Sequence, residues 1–239
     1  IWEASRFSFF ISYARAYLLT DDEKYYKAFR VQLHDWLENN EYGYGANFKC
    51  GQECGLRMVN ALLAYSIFSK CSIVVPSNTA DIKCLIDRCY NKILSNFFYA
   101  YKCIKNNHTI SELVGMIIGA WCCEDESRID KAYKMLNKVI DEQFTDDGGY
   151  RQFSFNYQRL ALQDLEVILG IEGKTDPSHT GSGRSGCHHV ELRLERKGQF
   201  RLLKRIGRHL YLTRNPYIHL RRNRLGEYRA SGENRYGPY

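Results

Sequence analysis

Apolar residues recur at the three- and four-residue spacing of amphipathic helices through most of the first 170 residues. The pattern predicts seven helices, over residues 3–19, 23–38, 52–69, 79–101, 109–121, 127–142 and 157–170. No stretch shows the alternation typical of a strand. The breaks carry turn-forming residues, among them Gly43-Tyr44-Gly45, Pro76-Ser77-Asn78 and Asp146-Asp147-Gly148-Gly149. Because short links make consecutive helices antiparallel neighbours, the sequence predicts an all-α fold, either a helical bundle or an incomplete (α/α) toroid of antiparallel helix pairs.

The net charge of +7 is concentrated at the C-terminal end of the chain. Residues 1–172 carry 19 Lys and Arg against 22 Asp and Glu, whereas residues 173–239 carry 15 against 5. We therefore expect a helical domain over residues 1–172 and an irregular basic tail over residues 173–239. Such a tail is typical of a disordered segment, of a polyanion-binding arm or of sequence that is not native to the protein. It does not decide the function.

Cysteine usage and apolar runs limit the class of protein. The nine cysteines stand at irregular spacings, which argues against a complete disulfide framework and favours a reducing compartment. Cys50 and Cys54 lack a second pair at zinc-site spacing, so we predict no metal site. No apolar run approaches the roughly 18 residues of a membrane span. The helical pattern starts at once after Ile1, so we expect the natural N-terminus to lie upstream.

Polar and aromatic residues collect where four of the predicted helices begin. If successive helices alternate in direction, those starting near residues 3, 52, 109 and 157 run parallel and begin at one end of the domain. Unpaired N–H groups and the positive ends of the helix dipoles make such an end favourable for an anion. The residues concerned are Trp2, Glu3, Arg6, Asn47, Gln52, Glu53, Arg57, Asn106, Asn107, His108, Glu112, Asn156, Tyr157, Gln158 and Arg159.

These residues also have purely structural explanations. Asn106-Asn107 is typical of a helix cap. His108 and Glu112 stand four residues apart, as do Glu53 and Arg57, and that spacing is typical of surface pairs on one helix. A single tyrosine or tryptophan belongs to a core more often than to a site. It is the convergence of four separate segments that favours a binding site.

Four motifs in order resemble the N-terminal helical domain of heparinase II/III-like polysaccharide lyases, including relatives associated with capsular polysaccharide loci. They are the segments Trp2 to Phe7, Tyr42 to Glu53, Asn106 to His108 and Asp147 to Arg159, and they span about residues 1–170. The resemblance implies an incomplete (α/α) toroid, normally followed by a β-sandwich domain that we expect to be missing here. It favours a periplasmic or cell-envelope location, against the reducing compartment that the cysteines favour, so the compartment stays open.

The resemblance implies that Asn107 and His108 neutralise a uronate carboxylate and that Tyr157 is the catalytic base, acid or both. Donors to that carboxylate stabilise the enolate-like transition state that forms when the α proton leaves. A free tyrosine titrates near pH 10, so as a base it needs a cationic or donor-rich setting. The elimination needs no cofactor. We expect the substrate-binding residues to be Trp2, Arg6, Asn47, Glu53, Arg57, Asn106, Glu112, Asn156, Gln158 and Arg159.

Three other functions stay open. Gln158 stands where many relatives carry His, and glutamine is not a general acid or base, which favours a non-catalytic glycan-binding or scaffold module. A glycoside hydrolase on the same fold would use paired carboxylates, for which Glu3, Glu53 and Glu112 are candidates. A nucleic-acid binder would rest on the basic tail alone.

Overall fold

The computed structural model describes residues 2–74, 79–145 and 148–172, with the dipeptides 221–222 and 228–229. The chain divides into two units, residues 1–168 and 169–239. The helices are α1 Trp2–Ser5, α2 Ser8–Thr20, α3 Lys24–Asn39, α4 Gly51–Lys70, α5 Ala80–Tyr99, α6 Asn107–Cys122, α7 Glu126–Gln143 and α8 Phe155–Glu172. A 3-10 turn, Ala46–Phe48, precedes α4, and a π-helical turn, Ala100–Ile104, follows α5. The all-α prediction is confirmed.

The predicted helix over residues 3–19 is broken into α1 and α2. Phe7 has a φ of 59°, in the left-handed region, where a helix cannot continue. Its ring is buried and lies 4.5 Å from the Phe10 ring and 5.4 Å from the Trp36 ring, so tertiary packing stabilises the break. The break exposes backbone carbonyls, and side chains of α4 occupy two of them: Arg57 donates to the Ser5 carbonyl and Asn60 to the Arg6 carbonyl.

Helix α6 is the central element of the first unit. It packs against α4, α5 and α7, and every residue from Thr109 to Ala120 is buried, as expected for a helix that is surrounded by protein. Glycines allow α4 and α6 to approach closely. A Cβ atom added to Gly115 would lie 3.0 Å from the Cα atom of Gly55, so a larger residue would force the two helices apart.

Contacts show that α4, α6 and α8 begin at the same end. Gln52 meets Asn107 near the starts of α4 and α6, and Gly55 meets Gly115 further along both, so the two helices run parallel. Helix α8 begins just after a short hairpin. At the base of that hairpin, the Gln143 side chain donates to the Asn106 carbonyl, just before α6. The helix ends that carry the predicted site residues therefore lie together.

The second unit contains one antiparallel pair of short strands, β1 Arg221–Arg222 and β2 Tyr228–Arg229, with Arg221 opposite Arg229. The hydrophobic pattern predicts no strand there. The rest of the predicted basic tail, the Pro76-Ser77-Asn78 turn and the Asp146-Asp147 pair lie outside the described residues. In the parts of the chain that the structure describes, no helix combines the length and apolar character that a membrane span requires.

Candidate functional site

Arg6 and Glu53 form a bidentate ion pair at the start of α4. Arg6 Nε donates to Glu53 Oε2 and Arg6 Nη2 to Glu53 Oε1, each over 2.8 Å, and Arg6 Nη1 donates to Glu3 Oε2 over 2.9 Å. The hydrogen bond with Glu53 raises the pKa of Arg6. The Arg6 side chain is 29% exposed, while Glu53 is buried. The site therefore holds a partly exposed guanidinium that two carboxylates fix in place.

Arg57 points into the protein and is 0% exposed. Its Nε atom donates to the Ser5 carbonyl over 2.6 Å and its Nη2 atom to the Asn47 carbonyl over 3.0 Å. Its guanidinium carbon lies 4.5 Å from the centre of the Trp36 ring. The explanation that Glu53 and Arg57 form a pair on the surface of α4 is wrong, because both are buried and each has partners on other segments. Arg57 thus connects α1 to the segment before α4.

Trp2 and Asn47 lie beside these contacts. Trp2 is half exposed, and its indole N–H donates to the Ala46 carbonyl over 3.1 Å, which holds α1 against the 3-10 turn. Asn47 donates from its amide to Asn40 Oδ1 over 2.6 Å. The Trp2 ring is therefore partly accessible to solvent, whereas the Asn47 amide is hydrogen-bonded to Asn40.

The start of α6 positions the two adjacent asparagines and His108. Asn106 Oδ1 accepts the His108 backbone N–H over 2.9 Å, so the prediction that Asn106 caps the helix is confirmed. Asn107 is 1% exposed and donates from Nδ2 to Gln52 Oε1 over 3.3 Å. The His108 ring is half-buried. Burial lowers the pKa of His108, although the Glu53 carboxylate opposes that shift.

Glu112 is fully buried under the start of α4. Its Oε1 atom accepts from Asn96 Nδ2 over 2.9 Å, and a Cβ atom on Gly51 would lie only 2.5 Å from its Cδ atom. Burial raises the pKa of Glu112 to about 7, against the effects of Asn96 and of the Gly51 and Gln52 amides. The explanation that Glu112 forms a surface pair with His108 is therefore wrong.

A buried pair that was not predicted from the sequence joins α6 to α8. The Ser111 hydroxyl donates to Asp164 Oδ2, and both side chains are buried. Burial raises the pKa of Asp164 to about 7, while Ser111 and Arg6 act in the opposite direction. Asp164 falls on the helix face that also contains buried Ala161, Leu165 and Ile168. In the sequence, an acidic residue within that apolar stripe is the feature that could have indicated this buried pair.

A short hairpin connects the start of α8 to the cap of α6. Phe144 and Tyr150 form an isolated β-bridge. The Tyr150 hydroxyl donates to Gln143 Oε1 over 2.8 Å, and Gln143 Nε2 donates to the Asn106 carbonyl over 3.0 Å. Gln158 Nε2 donates to the Gly148 carbonyl over 3.1 Å, so that its amide stabilises the hairpin.

Tyr157 lies on the first turn of α8 and is 47% exposed, between exposed Asn156 and half-buried Gln158. Arg159 is also exposed. Within the described residues, no side-chain hydrogen bond holds either the Tyr157 hydroxyl or the His108 ring. The two groups are therefore free to contact a ligand, on helices that the Ser111–Asp164 bond holds together.

The starts of α4 and α6 carry hydrogen-bond donors and a guanidinium, and the first turn of α8 carries an exposed phenol. Among the residues that the structure describes, no three His, Cys, Asp or Glu side chains are grouped so that they would hold a metal ion. The chemistry that these side chains support is charge neutralisation and proton transfer.

Comparison with known protein families gave a match over most of the chain. The model of the heparinase II/III N-terminus covers residues 1–179, which include all the site residues described above. A search of curated proteins found no match, and neither did a search of solved structures. The resemblance stated from the four motifs is confirmed. The chain belongs to the heparinase II/III family, through that family's N-terminal domain.

Proposed function

We propose that this chain is the helical part of a polysaccharide lyase that cleaves a uronate-containing polysaccharide, such as a glycosaminoglycan or a capsular polysaccharide, by β-elimination. The family name suggests a polysaccharide lyase. The helices would form part of an incomplete (α/α) toroid. The observation that carries the proposal is the half-buried His108 at the start of α6 with the Arg6–Glu53 pair at the start of α4, and an exposed Tyr157 on a helix bonded to α6.

In this proposal the substrate carboxylate binds at the start of α6. His108 donates an N–H to it, and Arg6 can contribute the guanidinium N–H groups that remain after its bonds to Glu53 and Glu3. The Asn107 side-chain amide has two N–H groups. One donates to Gln52, and the other is available to the substrate carboxylate. Because Asn107 is 1% exposed, the carboxylate must sit directly against the helix end to reach it, where the positive end of the helix dipole also favours an anion.

Tyr157 then moves the proton. As a phenolate it takes the proton from the carbon α to the carboxylate, a Cα=Cβ double bond forms, and the Cβ–O glycosidic bond breaks. The phenol returns the proton to the leaving oxygen, so no water or cofactor is consumed. Arg6 and Arg159 are the cations that would favour the phenolate.

The other side chains that were predicted to contact the substrate differ in how exposed they are to solvent. We assign saccharide contacts to the exposed Trp2, Asn156 and Arg159. Side chains that are buried or half-buried and already hydrogen-bonded support the site instead of touching the sugar. The buried ones are Glu53, Arg57 and Glu112, and the half-buried ones are Asn47, Asn106 and Gln158.

The geometry gives less support to a hydrolase. Glu112 is fully buried, and Glu53 accepts two hydrogen bonds from Arg6, which leaves Glu3 as the exposed member of the proposed carboxylate set. A glycan-binding module without activity is the second candidate. It is favoured by Gln158, because its amide donates to a backbone carbonyl and carries no titratable group.

The test is absorbance in the near ultraviolet during incubation with heparin, hyaluronan, chondroitin sulfate and alginate. Elimination creates an absorbing unsaturated sugar, and hydrolysis does not. Tyr157→Phe should abolish the rise while Tyr65→Phe, a matched change on α4, should not. Binding without any rise would support the module, and a rise that survives Tyr157→Phe would remove the tyrosine from the mechanism.

A further inference from the structure

The π-helical turn between α5 and α6 carries an unusual local charge. Between Asp87 and Glu112 the sequence contains Arg88, Lys92, Lys102 and Lys105 but no Asp or Glu, although residues 1–172 as a whole carry more acidic than basic residues. Lys102 and Lys105 are exposed, and within the described residues neither forms an ion pair.

Aromatic rings accompany these cations. Phe98 is 73% exposed and Tyr99 57% exposed at the end of α5. Tyr101 stacks on Phe97 with ring centres 5.5 Å apart, and Lys102 Nζ lies 5.3 Å from the centre of the Tyr101 ring. Adjacent exposed rings of this size are typical of a binding surface rather than of an isolated apolar residue.

The backbone of the turn is fixed. The Ala100 carbonyl accepts the Lys105 N–H over 3.1 Å and the Thr109 hydroxyl over 2.8 Å. Lys105 has a φ of 50°, which ends the turn and directs the chain into α6. π-helical turns occur frequently at functional sites. The cations are therefore presented by a fixed turn that leads directly to Asn107.

We propose that Tyr99, Tyr101, Lys102 and Lys105 form a second saccharide-binding surface, which holds an acidic polysaccharide beyond the sugar unit at Tyr157. The substrate class rests on the proposed function. The lysine ammonium groups would pair with carboxylate or sulfate groups, and the tyrosine rings would cover the apolar face of a sugar while their hydroxyls stay in water. The local absence of acidic residues gives the surface its charge complementarity to a polyanion.

The experiment measures binding of fluorescein-labelled heparin oligosaccharide by anisotropy at about 0.1 M NaCl, with the full 239-residue chain. Lys102→Gln/Lys105→Gln should raise Kd about fivefold, because each exposed ion pair contributes a small factor. The matched control is Lys131→Gln/Lys134→Gln, two exposed lysines on α7 with the same total charge change. It should change Kd less than about twofold. The basic C-terminal residues are present in every variant, so their contribution cancels.

A second variant tests the rings. Tyr99→Ser should weaken heparin binding at about 0.5 M NaCl, where screening reduces the lysine contribution. The proposal would be overturned if the two double variants lost equal affinity for heparin. It would also be overturned if the Lys102/Lys105 variant lost affinity for phosphatidylserine vesicles but kept its affinity for heparin. The elimination assay tests the lyase proposal separately. If the Lys102/Lys105 variant alone loses heparin affinity but no elimination is seen, the binding surface is supported and the lyase proposal is not. If elimination is seen but neither double variant loses affinity selectively, the lyase proposal is supported and the binding surface is not.

Discussion

The Ser111 hydroxyl donates a hydrogen bond to the buried Asp164 carboxyl group, and this bond joins the helix that carries His108 to the helix that carries Tyr157. Ser111 lies three residues after His108, and Asp164 lies seven residues after Tyr157, about one and two helical turns respectively. The bond thus fixes α6 against α8 close to both proposed reactive groups.

Stability should fall as pH rises from about 4 to about 7, because of Asp164. Its pKa is raised from 3.8 to about 7 in the folded protein, so over that range the folded state binds more protons than the unfolded chain. The slope from one such group is at most about 1.4 kcal/mol per pH unit. Asp164→Asn, whose amide oxygen still accepts from Ser111, should flatten the decline.

Urea unfolding of wild type and Asp164→Asn at several pH values between 4 and 8 measures this effect. Asp141→Asn, an exposed change on α7, is the control and should keep the wild-type slope. Glu112, with a pKa of about 7, adds a decline of the same sign in all three proteins. Equal slopes for wild type and Asp164→Asn would contradict the prediction.

Glu53→Gln should lower the pKa of His108. The Glu53 carboxylate raises that pKa against the effect of burial, and without its charge the Arg6 cation also disfavours the imidazolium. An NMR titration of the His108 ring protons measures the change. Glu38→Gln, an exposed change on α3, should leave the curve in place. A rise in Glu53→Gln would show that Glu53 does not act on the ring.

Arg57→Met should reduce the free energy of unfolding by about 3–5 kcal/mol, because two buried carbonyls lose their donors and the contact with the Trp36 ring is lost. Urea unfolding measures the loss. Arg15→Met, at an exposed position on α2, should change stability by no more than about 0.5 kcal/mol. Similar losses in the two variants would mean that the buried bonds contribute little.

Gln158→Leu should loosen the hairpin before α8. It removes the bond to the Gly148 carbonyl, which contributes about 1 kcal/mol. Phe153 is 97% exposed on that hairpin, so chymotrypsin should cleave after it faster in the variant. Gln163→Leu, an exposed change on the same helix, is the matched control. Equal cleavage rates would contradict this role for Gln158.

The helices were predictable because each buries one apolar face against the core, which sets a clear period in the sequence. Their observed ends lie within a few residues of the predicted ends. The break at Phe7 was not predictable, because it depends on Phe10 and on Trp36 from another helix. The π-helical turn was missed for a related reason: residues 100–104 continue the apolar pattern of α5, and the difference lies in backbone bonding.

For the site, the sequence predicted which helix starts converge but not which side chains pair. Spacing along one helix suggested Glu53 with Arg57, whereas the structure pairs Glu53 with Arg6, 47 residues away. Such pairings depend on how closely the helices approach, and that depends on positions such as Gly55 and Gly115. The roles of Asn107, His108 and Tyr157 stay predictions.

The buried guanidinium of Arg57 also has a consequence for how the protein opens. Helix α1 has only four residues, too few to be stable alone in water. Since its Ser5 carbonyl accepts from Arg57 inside α4, α1 cannot leave without breaking that buried hydrogen bond and taking the acceptor away from the guanidinium. The amide hydrogens of Arg6 and Phe7, which bond to the Glu3 and Ala4 carbonyls of α1, should then exchange with solvent only when α4 unfolds, so the two helices belong to one cooperative unit of the native-state ensemble.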